Sequence, residues 1–375
     1  MQTISEVQDL TQPRVKEINW AQIWSLAGLN AAVVISWIAY HNYLPAVVGK
    51  FKFYDLAYFI TVTQAIILVI IPPVAGLIGD YMIKKSGKRF IVFTVGTGVT
   101  AMVFMAVAGL VNLDPLSSMK WVLPIMIIIW LISMNIFHSP ANSMLDLFAP
   151  TSGLPIVMAI ITMTSEVLYG LEPIVVIIVN FLGPTLTFVT GGVLLIVTGT
   201  LFLKTTKSLD TGTNHESATE ERSNNYFAIL AVGITFGLVT AFIFKFFPEI
   251  LSVKLKEYDS QVFGGNHFSA VILIMAALLA IPASKLVEQL GLAQALMFGI
   301  VASSITIIII VFSDNQSMVM FACVVLAFAY SIVSVSAFPF TLRSLSPKNL
   351  TFGAGLFFGS LELATGVFDV LLFGK

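Results

Sequence analysis

The chain has little charge and almost no cysteine. Only 10% of its 375 residues are Asp, Glu, Lys or Arg, whereas an ordinary globular domain has about 25%. A surface this poor in charge excludes a soluble enzyme, a nucleic-acid binder and a disordered adaptor. The single cysteine, Cys323, excludes a disulfide framework and a cysteine metal cluster. Apolar residues are abundant instead, at 57% with a mean hydropathy of +0.95, which is typical of a protein embedded in a lipid bilayer.

Long apolar runs follow one another along the chain. A helix needs about 20 mostly apolar residues to cross a bilayer core about 30 Å thick. The sequence supplies eleven such runs and therefore predicts an all-α polytopic membrane protein. They lie near residues 24–48, 55–80, 90–111, 121–147, 155–179, 184–203, 226–250, 267–288, 293–312, 317–340 and 350–373.

The only long polar stretch divides the runs into six and five. We predict an N-terminal segment at 1–23, a six-helix bundle at 24–203, a flexible linker at 204–225 and a five-helix bundle at 226–375. Lys and Arg favour one side of the membrane by about two to one, which places the N-terminus and the linker in the cytoplasm of a plasma-membrane protein. The polar residues 1–19 lack the features of a signal peptide.

Two short motifs recur at a similar interval. The pattern KxKxYD begins at Lys50 and again at Lys254, 204 residues later. The pattern ExxxG runs from Glu166 to Gly170 and again from Glu362 to Gly366, 196 residues later. Internal repeats are typical of secondary transporters. The repeats predict six helices followed by five of a second six, with the twelfth absent.

A signature lies between runs two and three. Residues 73–89 read PVAGLIGDYMIKKSGKR, which resembles the cytoplasmic signature of the major facilitator superfamily. Its spacing is similar to PxxGxxxDxxxxxxG(K/R)R of the sucrose and glycoside-pentoside-hexuronide cation symporters. Glycine allows close helix approach and an aspartate can cap a helix. We therefore interpret Gly76, Asp80, Gly87, Lys88 and Arg89 as a gating latch rather than a substrate site.

Run four extends the resemblance. Residues 135–147, NIFHSPANSMLDL, are similar to NxxQGPxRALxADL of plant sucrose carriers. The family arginine falls on Asn142, and the sodium-site carboxylates of melibiose-type carriers fall on Leu68 and Pro72. The resemblance implies a two-bundle fold and a sugar or glycoside as substrate, while the departures leave another small organic solute open.

Polar side chains in membrane helices are costly, so those sharing a face are candidates for contact with substrate. Runs one, four and ten each carry such a stripe. Packing is the alternative for Trp37 and an interfacial position for His41. Asp146, near the end of run four, is interpreted as a gating residue or helix cap rather than a binding group. The candidate substrate contacts are Asn30, Trp37, Tyr40, His41, Asn135, His138, Ser139, Asn142, Tyr330 and Ser334.

Glu166 and Glu362 are the strongest single candidates. Each lies near the middle of its run, and the repeat relates them across a shared cavity. A carboxylate at the bilayer centre costs about 2.5 to 3.5 kcal/mol, which favours its neutral form and suits reversible proton binding. A hydrogen bond to a neighbouring helix is the structural alternative. Lys245 and Glu249, four residues apart, are expected to form a local ion pair.

The leading hypothesis is a secondary active transporter that moves a small organic solute by alternating access, coupled to protons as a symporter. We expect a small-molecule substrate, a coupling proton and the lipid bilayer as its partners, and a monomer. No nucleic-acid partner, cofactor, metal or enzymatic activity is expected. A membrane receptor or assembly factor without transport, an uncoupled facilitator and an exporter of another metabolite are the alternatives.

Overall fold

We analysed a computed structural model, which describes residues 17–50, 57–88, 90–111, 121–207, 223–256 and 267–372. No strand occurs in these ranges, and eleven helices are long and apolar enough to cross a membrane. This confirms the predicted fold class. Most of the predicted linker, Arg89 and parts of both KxKxYD motifs lie outside the described residues.

Six of the helices precede the linker region and five follow it. The first six are α1 Trp20–Lys50, α2 Ala57–Ser86, α3 Ile91–Leu110, α4 Val122–Ser143, α5 Leu154–Gly170 and α6 Glu172–Thr206. The other five are α7 Tyr226–Lys254, α8 His267–Leu290, α9 Leu292–Phe312, α10 Gln316–Arg343 and α11 Leu350–Leu371. A π-helical turn at Phe242–Phe246 interrupts α7.

Helix α6 contains a chain reversal. Gly183 has φ 72°, a left-handed conformation that favours glycine, and Pro184 follows it. The Thr187 hydroxyl donates to the Val179 carbonyl at 3.1 Å, although eight residues of straight helix would separate them by about 12 Å. The residues before Gly183 therefore continue the fifth crossing, and those after it form the sixth, as the apolar runs predict.

Helices pack within two bundles and between them. In the first bundle α1 packs on α6, and α3 packs on α4 and α6. In the second, α10 packs on α8 and α9, and α7 packs on α11. The two bundles meet chiefly where α2 crosses α11 and where α5 crosses α8, with further contacts of α4 with α11 and of α5 with α10. The interface between the bundles is therefore formed by helices of both repeats.

Glycines bring these helices close together. A Cβ at Gly355 would overlap the Pro72 carbonyl, and a Cβ at Gly359 would meet the Val69 carbonyl oxygen at 2.5 Å, so α11 lies directly on α2. A Cβ at Gly233 or Gly237 would likewise overlap atoms of α11, so α7 also lies directly on α11. Both pairs have the spacing GxxxG, which is typical of tight helix packing.

The signature of residues 73–89 lies largely on a helix. We predicted that run two ends near residue 80, but α2 continues to Ser86. It ends where Gly87 adopts φ 69°, the left-handed conformation that often terminates a helix. The Asp80 side chain therefore projects from a continuous helix, which fixes its direction.

Candidate functional site

Asp80 joins the two bundles at one end of the molecule. Its carboxylate accepts hydrogen bonds from the backbone N–H groups of Thr351, at 3.2 Å, and Phe352, at 2.8 Å. These groups lie in the first turn of α11, where N–H groups lack partners within the helix. A Cβ at Gly76 would overlap the Thr351 carbonyl, so glycine is what permits this approach. The predicted contact is thus present, and we call it the latch.

Other residues singled out from the sequence lie at the same end. Ser139 of α4, a candidate substrate contact, donates to the Thr351 carbonyl at 3.0 Å, and Lys88 is exposed. Asp146 is half-buried in the short helical turn Leu145–Phe148 that follows α4. The gating role of Lys88 and Asp146 and the substrate contact of Ser139 stay predictions.

The polar stripes of α1 and α4 meet. The Asn30 amide donates to the Asn142 side chain at 3.1 Å, and Asn135 donates to the Leu131 carbonyl at 2.8 Å. The His138 ring lies 4.6 Å from the ring of Phe358 on α11. These side chains have protein partners in this conformation, so their predicted contact with substrate requires a rearrangement.

Aromatic rings line the α1 side of the cavity. Trp37 stacks on His41 at 5.7 Å, and Tyr40 stacks on Trp130 at 4.6 Å. The Tyr40 hydroxyl donates to Gln64 of α2 at 2.9 Å. His41 is exposed at the surface of the cavity, and the buried Trp130 indole N–H has no hydrogen-bond partner among the described residues. Sequence reasoning missed Gln64 and Trp130, because neither belongs to a polar stripe.

Glu166 connects the bundles in the membrane interior. Tyr330 of α10 donates from its hydroxyl to Glu166 Oε1 of α5 at 3.1 Å. Glu166 is 8% exposed and Tyr330 2% exposed. The second carboxylate oxygen, Oε2, is buried without a hydrogen-bond partner in the described ranges. Tyr330 therefore contacts a carboxylate of the opposite bundle, a pairing that sequence spacing alone could not reveal.

Glu362 has a different partner. The Thr365 hydroxyl, three residues along α11, donates to Glu362 Oε2 at 3.1 Å. Both glutamates interact electrostatically with Tyr169, which places them on the same side of the cavity. Each also lies twelve residues into its helix, about 18 Å along the axis at 1.5 Å per residue. The two carboxylates thus occupy equivalent places in their helices, and their predicted position across a shared cavity stays a prediction.

An ion pair joins the C-terminal parts of α7 and α11, away from the latch. Lys245 of α7 forms an ion pair with Asp369 of α11 at 2.5 Å, and both side chains are partly exposed. The pair interacts electrostatically with His41 of the other bundle, and Lys245 also with Glu172. The predicted Lys245–Glu249 pair is wrong. Lys245 lies in the π-helical turn, which changes the register that aligns residues four apart.

A known family model matches most of the chain. Residues 30–368 match the family model of the Major Facilitator Superfamily. The chain belongs to the Major Facilitator Superfamily. A search of curated proteins gives no match. The superfamily predicted from residues 73–89 is confirmed, whereas the narrower resemblance to sucrose and glycoside symporters stays a prediction.

Solved structures share the fold. The human organic anion transporter MFSD10 (TETRAN) is similar with a TM-score of 0.69 at 11% identity, covering 96% of this chain and 94% of that chain. A bacterial homologue of the iron transporter ferroportin in an outward-facing state has a TM-score of 0.64 at 16% identity, covering 94% and 91%. These identities show a shared fold alone. The superfamily makes this chain a multi-pass membrane protein of a transporter family that acts on small molecules.

Proposed function

We propose that the chain is a secondary active transporter that moves a small organic solute by alternating access and couples this movement to protons. The observation that carries the proposal is the Tyr330–Glu166 hydrogen bond, 3.1 Å long, between the two bundles. Glu166 is buried at the interface between the two bundles. Its protonation would therefore directly change how stably the bundles pack on each other. This proposal makes Glu166 the principal coupling group and Glu362 a second carboxylate in the same cavity.

The energetic argument starts from the cost of a buried charge. An ionised carboxylate in the membrane interior is costly unless it is hydrogen-bonded. The Tyr330 hydroxyl offsets part of that cost for Glu166 only while the bundles keep this arrangement. A proton on Glu166 makes the carboxyl neutral and removes the need for Tyr330. Proton binding would therefore favour separation of α5 from α10, and proton release would favour their contact.

The latch end is proposed to face the cytoplasm. Exposed lysines at the end of α2, namely Lys84, Lys85 and Lys88, support this orientation by the positive-inside rule. The N-terminus then lies in the cytoplasm of a plasma-membrane protein. Because the latch is closed, the conformation would open to the outside, where His41 and the Lys245–Asp369 pair lie.

A sugar or glycoside is the proposed substrate class. The resemblance at residues 73–89 and 135–147 supports it, and Trp37 and His41 offer ring faces on which a sugar could stack. The two solved neighbours are described as transporters of an organic anion and of iron. The fold alone therefore does not select the substrate, and the test must include other metabolites.

Thermal unfolding of the purified chain against sugars, glycosides and other metabolites at two pH values tests the proposal. A ligand that binds the folded state raises its melting temperature by mass action. We expect a sugar or glycoside to stabilise the protein in a pH-dependent manner, and Glu166→Gln to remove that dependence. Unchanged pH dependence in both Glu166→Gln and Glu362→Gln would contradict proton coupling. If the protein is folded and no compound in the panel raises its melting temperature, the result would favour a receptor or assembly factor.

A further inference from the structure

One serine of α10 behaves unlike the other hydroxyl residues near it. Ser331, Ser336 and Thr341 each donate to a carbonyl of their own helix, at 3.0, 2.6 and 3.1 Å. Such bonds are the ordinary way to satisfy a hydroxyl in a membrane helix. Ser334 is 2% exposed, yet its Oγ has no hydrogen-bond partner among the residues the structure describes.

The same departure occurs on α7. Thr235 donates to the Ala231 carbonyl at 2.7 Å, whereas the buried Oγ1 of Thr240 has no partner within the described ranges. Thr240 lies two residues before the π-helical turn Phe242–Phe246, and such turns are frequent at functional sites. Thr240 and Ser334 are both neighbours of the Tyr330 hydroxyl.

The Tyr330 hydroxyl is therefore the centre of an oxygen cluster. It donates to Glu166 Oε1 and interacts with the hydroxyls of Thr240 and Ser334, while Glu166 Oε2, Thr240 Oγ1 and Ser334 Oγ are buried without a hydrogen bond of good geometry in the described part of the chain. Three of these residues come from α7 and α10 and one from α5, so the cluster spans both bundles. Buried oxygens without partners cost free energy. Their convergence indicates a ligand that supplies positive charge to all of them.

We propose that the cluster formed by Glu166, Thr240, Tyr330 and Ser334 binds a sodium ion. Carboxylate and hydroxyl oxygens are hard ligands that suit such cations, and one carboxylate balances a single positive charge. Helices interrupted near mid-membrane supply cation sites in other transporters. Sodium here holds α5 against α7 and α10, so it stabilises the conformation in which the latch is closed.

Sodium and a proton would compete for Glu166, because each neutralises the same carboxylate. This inference rests on the proposed role of Glu166 as the coupling group. The titratable groups near Glu166 are Tyr330 of α10, which bonds to it, and Tyr169 of α5. Glu172, at the start of α6, and Glu362 of α11 interact with Tyr169 in turn.

The test is thermal unfolding of the purified full chain as sodium chloride replaces choline chloride at constant ionic strength and pH. We expect a saturable rise in melting temperature that weakens as the pH is lowered. Ser334→Ala and Thr240→Val each remove a hydroxyl oxygen that would coordinate the sodium ion. Each variant is expected to weaken sodium binding by about tenfold or more.

Matched controls separate the site from general destabilisation. Ser336→Ala removes a buried serine two residues away whose Oγ already bonds to the Ile332 carbonyl, so it should keep the sodium effect. Glu166→Gln should lose it. No sodium dependence in the wild type, or equal losses in Ser334→Ala and Ser336→Ala, would overturn the inference.

The outcomes also separate this inference from the proposed function. Proton-dependent ligand binding that Glu166→Gln abolishes, without any sodium effect, would refute the sodium site and leave proton coupling intact. A sodium effect lost in Ser334→Ala and Glu166→Gln, with ligand binding independent of pH, would support the site and refute coupling to protons.

Discussion

Helices α5 and α11 carry the same ExxxG motif and lie at equivalent places in the two repeats, yet their glutamates have different partners. Glu166 on α5 accepts from Tyr330 of the opposite bundle, whereas Glu362 on α11 accepts from Thr365 of its own helix. The glycines behave alike. Gly170 approaches α8, and Gly366 approaches α2, so each motif lies where the bundles cross.

The starts of the two helices differ as well. Asp80 of α2 caps the first turn of α11 through two backbone N–H groups. Ser284 of α8, 204 residues after Asp80, instead donates to the Ile281 carbonyl of its own helix. Helix α5 begins after Gly153 without a side-chain cap among the described residues. Of the two equivalent helix crossings, one therefore holds the latch and the other holds Glu166, the proposed coupling carboxylate.

The largest expected effect is a difference in transport between variants of the two glutamates. Glu166→Gln should abolish solute accumulation driven by a pH gradient in proteoliposomes, while Glu362→Gln should keep most of it. One unit of pH gradient is worth about 1.4 kcal/mol, or about tenfold accumulation. Uptake of the identified solute with and without an imposed gradient is the measurement. Equal losses in the two variants would show that both carboxylates couple.

The next effect concerns the latch. Asp80→Asn removes the charge and one acceptor at the start of α11, which should cost about 1 to 2 kcal/mol and open the latch end more often. Spin labels at the exposed Lys85 and Lys348, in a Cys323→Ser background, would measure the opening as a longer distance. Ser284→Ala at the corresponding place on α8 is the control and should leave the distance unchanged. An unchanged distance in Asp80→Asn would contradict the latch.

A smaller effect is expected from the hydroxyl partners. Tyr330→Phe keeps the ring that packs 5.7 Å from Phe236 but removes the donor to Glu166. The ionised carboxylate loses a stabilising hydrogen bond, so the pH profile of transport should move to higher pH by about one unit. Thr365→Val at Glu362 is the matched variant and should move the profile less. A shift to lower pH in Tyr330→Phe would be inconsistent with the account.

The last prediction concerns stability rather than transport and compares the two glycines. A Cβ at Gly170 would lie 3.1 Å from the Ala270 carbonyl oxygen and 2.5 Å from Ile274 Cγ1, whereas a Cβ at Gly366 would meet Ala65 Cβ at 3.0 Å. Overpacking should make Gly170→Ala destabilising by about 1 to 3 kcal/mol. Gly366→Ala should cost less, because only one side-chain carbon must yield. Thermal unfolding of both variants checks this order, and a stabilised Gly170→Ala would reverse it.

Much of the fold could be predicted because hydropathy and glycine spacing are local properties of the sequence. The apolar runs locate all eleven helices, although α2 continues six residues past its run, and Gly183 within α6 lies at the boundary between the fifth and sixth runs. The latch could be predicted as well, since Gly76 and Asp80 have a spacing that matches a known signature. Both features depend on residues close together in the chain.

The partners of the site residues could not be predicted, because they depend on how helices face one another. Tyr330 was expected to contact substrate, and nothing in its spacing identifies Glu166 as its partner 164 residues away. Lys245 was paired with Glu249 on the assumption of a regular helix, which the π-helical turn invalidates. Thr240 gave no signal, since an isolated threonine in an apolar run ordinarily bonds to its own helix.

The central claim is that Glu166 takes up and releases the coupling proton. Infrared difference spectroscopy of the purified chain between mildly acidic and mildly alkaline pH measures protonated carboxyl groups without needing a substrate. The account predicts a carboxyl band that titrates in the wild type, persists in Glu362→Gln and disappears in Glu166→Gln. A band that survives unchanged in Glu166→Gln would contradict the account.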